Sequence, residues 1–236
     1  MKKTDWIFAG MMLCSACVAD TEIFNFGTPG MPVTSLKDER LQKALDQKPD
    51  LTVLLVGTND MINSASLTSL PGFEENYNRV VRRLLDSGSR VIPVTLPPCN
   101  EALLFKRHQP EKFGSMSPNA RIVEANRIIR SAAEKNKLPL VDFYAEVRKQ
   151  GTAGKDSLLR NPDNRGGVDG VHPTPTGYRR LAEMVFQAIR TNKINARRIV
   201  CLGDSITYGI SVNGAGTAEG DTYPGQLLLL LNESPK

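Results

Sequence analysis

The chain has 236 residues, with 30 Lys and Arg against 25 Asp and Glu, 40% hydrophobic residues and a formal charge of +5. That length suits one α/β domain whose core needs no metal or disulfide scaffold. The mixed charge excludes a disordered chain, the absence of a run of five basic residues gives nucleic acid no landing strip, and no apolar stretch approaches the ~18 residues of a membrane-spanning helix.

The N-terminus opens with Lys2 and Lys3, continues through an apolar run from Ile7 to Ala19, and offers the small residues Cys17-Val18-Ala19 before Asp20. A positive end, an apolar stretch and a small-x-small site are how an export signal reads. Residues 1–19 are therefore expected to be a signal peptide, 20–236 a single domain, and the mature protein secreted or periplasmic. Lipid anchoring through Cys17 is the less natural reading, because Cys14 stands where Leu is usual. Cleavage leaves Cys99 and Cys201 in an oxidising compartment. A bridge between them is conceivable, but Cys201 sits in an apolar run and reads more simply as a buried thiol.

Along the rest of the chain, short apolar runs without alternation recur at Ile23–Phe26, Leu51–Val56, Val91–Thr95, Leu138–Phe143 and Ile199–Leu202. Strands apolar on both sides belong to a parallel sheet covered by helices on both faces. Helical spacing separates them: Leu36, Leu41 and Leu45; then Tyr77, Val80, Val81, Leu84 and Leu85, stopping at Gly88; then Ile122, Ala125, Ile128, Ile129 and Ala132; then Tyr178, Leu181, Met184, Val185 and Ile189. This alternation predicts a three-layer α/β/α sandwich around five parallel strands. Two long connections, Pro97–Ala120 and Gly151–Pro173, are expected over strand ends. The glycine-rich segment Gly209–Gly220 lacks G-x-G-x-x-G spacing and no G-K-[ST] occurs, so no nucleotide cofactor is expected; no Cys/His cluster suggests a metal.

Polar residues gather where the strands stop, the side on which open α/β sheets bind ligands. Ser205 follows Ile199–Leu202 and can expose a hydroxyl and its own N–H, or serve as a helix N-cap. Asn59 follows Leu51–Val56 and can donate its amide to an oxyanion, or make an Asx-turn; Asp60 more simply caps the next segment. His172 has Asp169 three residues earlier, with Gly170 allowing the tight turn. That carboxylate can accept Nδ1–H and leave Nε2 as a base, although a hydrogen-bonded loop histidine fits the spacing as well. His108, between Arg107 and Gln109, reads as solvated surface. Gly30 can turn its N–H towards an oxyanion, where a side chain would obstruct, or can serve its turn alone.

Four blocks together resemble the GDSL/SGNH hydrolase family: Gly203-Asp204-Ser205-Ile206-Thr207, Asn25-x-Gly27-x-x-Gly30, Gly57-Thr58-Asn59-Asp60 and Asp169-Gly170-Val171-His172-Pro173. The resemblance implies a flavodoxin-like sheet and a serine esterase with Ser205, His172 and Asp169 as catalytic residues and an oxyanion hole from Ser205, Gly30 and Asn59. Family members usually begin with the serine block, whereas here it comes last. The sequence thus resembles a circularly permuted member, with Ile199–Leu202 expected in the sheet between Ile23–Phe26 and Leu51–Val56. Polar loops and the expected export favour O-acetyl esters of carbohydrates as substrate. Alternatives are a lysophospholipase or thioesterase, or a non-catalytic glycan-binding module on the same fold.

Overall fold

Helix and strand alternate along the chain as the apolar pattern requires. The computed structural model describes residues 21–233. In order come β1 (Glu22–Gly27), α1 (Asp38–Leu45), β2 (Leu51–Leu55), α2 (Thr58–Ile62), α3 (Leu70–Asp86), β3 (Arg90–Pro93), α4 (Glu101–Leu104), α5 (Pro118–Lys135), α6 (Phe143–Gln150), α7 (Pro175–Thr191), β4 (Arg198–Gly203), α8 (Ser205–Tyr208) and α9 (Tyr223–Glu233). The signal segment expected over residues 1–19 lies outside the described residues.

The long helices start where side-chain oxygens replace the missing partners of the first turn. Ser69, Ser117 and Thr174 accept N–H groups of Gly72, Ala120 and Gly177, and each is followed by a proline in the first turn, where an N–H is not needed. Their apolar faces then turn inward, with Phe73, Tyr77, Val80, Val81 and Leu84 buried on α3 and Tyr178, Leu181, Ala182, Val185 and Ile189 on α7. Helix α3 packs with α5, and α7 with α9. The parallel sheet is flanked by helices, as the uninterrupted apolar strands demand.

The sheet runs β1-β4-β2-β3, all parallel. The last strand in sequence is thus flanked on both sides: Cys201 stands opposite Asn25 of β1 and Val53 of β2. Its entry is pinned by Asp50, whose carboxylate accepts the N–H groups of Arg197 at 2.8 Å and Arg198 at 2.9 Å, while Arg198 pairs with Glu22 at 2.5 Å. All five residues of β2 are buried. Each such Val or Leu contributes roughly 1.5–3 kcal/mol through burial, which makes the sheet centre the main source of stability.

Among the described residues four strands form, not the five expected. The run Leu138–Phe143 yields one isolated parallel bridge, Val94 to Val141, closed by Val141 N–H to Pro93 O at 3.0 Å and Thr95 N–H to Val141 O at 3.0 Å. Pro139 has no N–H to extend the ladder, and Asp142 already caps α6 by accepting the N–H of Ala145. Cys99 and Cys201 are both free and buried, so the conceivable bridge is not formed.

Candidate active site

Strand β4 delivers Ser205 to the carboxyl edge of the sheet. The side chain of Asp204 caps α8 by accepting Ile206 N–H at 3.0 Å, so the capping role considered for Ser205 falls to its neighbour and the serine hydroxyl is free for another partner. That partner is His172: Nε2 lies 3.0 Å from Ser205 Oγ. The serine is 8% exposed, which keeps water from crowding the hydroxyl.

His172 sits in the loop before α7, tied to Asp169. The carboxylate meets Nδ1 at 2.9 Å through Oδ2 and 3.1 Å through Oδ1, and Oδ1 also accepts the N–H groups of Val171 and His172, both at 2.9 Å. Burial alone would raise this carboxyl, but the bonds from the His172 ring and from the two backbone N–H groups hold it down at about 2. It is therefore ionised, and an ionised carboxylate on Nδ1 places the ring proton there and leaves Nε2 as an acceptor towards Ser205. The turn between them needs glycine: Gly170 has φ +75°, and a Cβ there would lie 2.9 Å from Leu103 Cβ and 3.0 Å from Asn100 Cβ.

The other two predicted residues reach the same place. Asn59, in the first turn of α2, accepts from Asn63 Nδ2 at 3.4 Å through its Oδ1, and its own Nδ2 makes one long contact, 3.4 Å to Met31 O. Its remaining N–H is left for the cleft. Gly30 has φ +75°, with open space where a Cβ would stand, so its requirement is conformational and not the avoidance of a neighbouring protein atom. The N–H groups of Gly30 and Ser205 have no acceptor among the described residues. A cleft of about 210 Å³ is lined by Gly30, Asn59, Leu104, His108, His172 and Ser205, among others. The five residues singled out from sequence thus converge.

Other participants were not visible in the sequence. Arg107 Nη2 donates to the backbone carbonyl of Asp169 at 2.6 Å and lies 3.7 Å from its Oδ1; Arg160 Nε lies 3.7 Å from Oδ2. His108 is not solvated surface. It lines the cleft, with Nδ1 accepting Ser64 N–H at 3.3 Å. Asn63 was the one discoverable partner, since four residues after Asn59 on a helix puts the two side chains side by side. Asp60 does not act as a simple cap: it is buried, accepting Val33 N–H at 2.8 Å and the Thr68 hydroxyl at 2.7 Å.

Beneath the cleft lie two buried carboxyls, Asp60 and Asp204. Burial pushes each up to about 6, and the negative charge of Asp204 adds to the rise at Asp60. Thr58, close to Asp204, lowers it somewhat, yet neither the Thr58 hydroxyl nor Asp204 Oδ2 completes a well-formed hydrogen bond. Among the described residues no group of three or more His, Cys, Asp or Glu is placed to hold a metal ion, and no described helix is long and apolar enough to cross a membrane.

The model of the GDSL-like lipase/acylhydrolase family matches residues 10–180. The chain belongs to that family. The match takes in Gly30, Asn59, Asp169 and His172 and ends before Ser205. This GDSL acylhydrolase is accordingly a carboxylic ester hydrolase. Among solved structures it is similar to a GDSL-like lipase from Bacteroides thetaiotaomicron at 22% identity and TM-score 0.51, covering 69% of this chain and 73% of that one. An acetyl xylan esterase is similar at 25% identity and TM-score 0.51, covering 68% and 77% respectively. An acetylxylan esterase from Geobacillus stearothermophilus, in a variant form, shares the fold at 20% identity and TM-score 0.51, covering 68% of each chain. No curated protein matches the sequence of this acylhydrolase.

Proposed function

We propose that the protein hydrolyses short acyl esters, foremost O-acetyl groups on carbohydrates, with Ser205 as nucleophile. The 3.0 Å approach of His172 Nε2 to Ser205 Oγ, with Asp169 behind the ring, carries this reading. Ser205 Oγ attacks the ester carbonyl as its proton passes to His172 Nε2, and Asp169 holds Nδ1–H and stabilises the imidazolium. The oxyanion is met by the N–H groups of Ser205 and Gly30 and by Asn59 Nδ2. All three point to this role because they lack a well-formed partner of their own. Collapse expels the alcohol, which takes the proton from His172. Water, giving its proton to the same Nε2, then attacks the acyl-enzyme and releases the acid.

Two observations favour a small acyl group. The cleft of about 210 Å³ is smaller than the ~300 Å³ at which drug-sized ligands begin to fit, and a similar fold at 25% identity belongs to an acetyl xylan esterase. Further parts of the proposal are export, on the signal-like residues 1–19, and circular permutation. The latter is supported by the serine block coming last in sequence while its strand β4 lies between β1 and β2.

The test is fluorophosphonate labelling alongside turnover of p-nitrophenyl acetate. Wild-type protein takes one label on Ser205 and releases nitrophenol, and Ser205→Ala does neither. Labelling elsewhere, or near-wild-type turnover by Ser205→Ala, rules the assignment out. A p-nitrophenyl ester series that peaks beyond about eight acyl carbons would instead favour a lipid substrate.

A further inference from the structure

A second imidazole shares the cleft. Ser64 meets His108 Nδ1 twice, through its N–H at 3.3 Å and its hydroxyl at 3.1 Å; the backbone N–H only donates and the hydroxyl can donate as well, so Nδ1 serves as the acceptor and the neutral ring carries its proton on Nε2. That N–H has no acceptor among the described residues. Next to it Arg107 commits Nη2 to the carbonyl of Asp169, while its Nε and Nη1 make no described hydrogen bond. Both residues line the cleft, and no carboxylate lines it with them. This stretch of the wall therefore offers donors.

Its position assigns the half of the substrate it faces. His172 protonates the departing oxygen, so the alcohol lies on the His172 side of Ser205. Arg107 stands on that side through its bond to the Asp169 carbonyl, and His108, held against Ser64, lines the same cleft. We propose that His108, with Arg107 beside it, is a specificity-determining residue that donates Nε2–H to an oxygen next to the acylated position. The preferred substrates are then esters of polyhydroxylated alcohols and not of plain alkyl or aryl alcohols. The inference rests on the reading of Ser205 as nucleophile and narrows its substrate class.

Two esters that differ by one hydroxyl isolate the effect: cyclohexyl acetate and the monoacetate of trans-1,2-cyclohexanediol. The wild-type enzyme is expected to prefer the diol monoacetate at least fivefold in kcat/KM, mainly through KM, as one neutral hydrogen bond allows. His108→Phe removes that preference, and His108→Gln, which keeps an N–H donor, restores part of it. Equal kcat/KM for the two esters in the wild type overturns the inference without any variant, as does an unchanged preference in a folded His108→Phe protein. A wild-type enzyme that labels on Ser205 but cleaves neither ester also overturns it while leaving the nucleophile standing. Failure to label overturns the proposed function, and the inference with it.

Discussion

His172 Nε2 and Ser205 Oγ meet at 3.0 Å across 33 residues of chain, one group on the loop before α7 and the other at the end of the innermost C-terminal strand. The contact has direction because Asp169 occupies the opposite ring nitrogen. Replacing Asp169 by Asn puts an amide donor beside Nδ1 and favours the tautomer with its proton on Nε2, which cannot accept from Ser205. The expected loss is ~10³–10⁴ in kcat on p-nitrophenyl acetate, with KM little changed. A fall of less than tenfold in a folded Asp169→Asn protein would show that the ring is oriented by something else.

The carboxyls of Asp169 and Asp204 act on stability with opposite signs. Asp169, held at about 2 against an ordinary 3.8, stabilises the fold above pH 3.8, and that contribution disappears as pH falls towards 2. Asp204, raised to about 6, is ionised in its buried site at pH 8, where its full cost applies. Below pH 6 it protonates in the folded state before it does so in the unfolded chain, and the cost declines towards pH 3.8. The rise from 3.8 to about 6, caused by burial, corresponds to at most ~3 kcal/mol. Asp204→Asn keeps an Oδ1 for the Ile206 N–H and gives Thr58 a donor. Its melting temperature is expected to exceed wild type at pH 8, with the gain shrinking towards pH 4.5. A gain of equal size at both pH values, or none at pH 8, contradicts this account.

Strand β4 pairs on both sides, so its loss leaves β1 and β2 without their shared neighbour. A chain ending at Asn195 is expected to lose its cooperative melt and its near-ultraviolet circular dichroism, since the deficit exceeds the ~5–15 kcal/mol of a whole domain's stability. Slow refolding of the full chain is the companion expectation, because β1 and β2 cannot finish their pairing until the last segment arrives. A cooperative, native-like melt of the shortened chain would refute both.

What the sequence discloses and what it hides follow from how local each cause is. The apolar runs at Leu51 and Ile199 are strands because everything around them is apolar, a property readable from the run itself. The run at Leu138 looks alike, but Pro139 has no N–H to pair and Asp142 is already the side-chain cap of α6. Ser205, His172, Asp169, Asn59 and Gly30 were legible because each stands in a block of fixed spacing. His108 was not: its flanking charges read as surface, and only the fold brings Ser64, 44 residues away, against its ring. Arg160 was hidden for the same reason, reaching Asp169 across a loop whose shape no spacing rule encodes.

The two thiols of the described chain have a consequence for durability. Cys201 lies in the strand that leads to Ser205 and Cys99 in the loop after β3, and burial pushes both up to about 12. Neither supplies the thiolate that peroxide or a mixed disulfide requires, and neither is reachable from solvent. Hydrogen peroxide at doses that silence thiol enzymes is therefore expected to leave this enzyme's turnover unchanged.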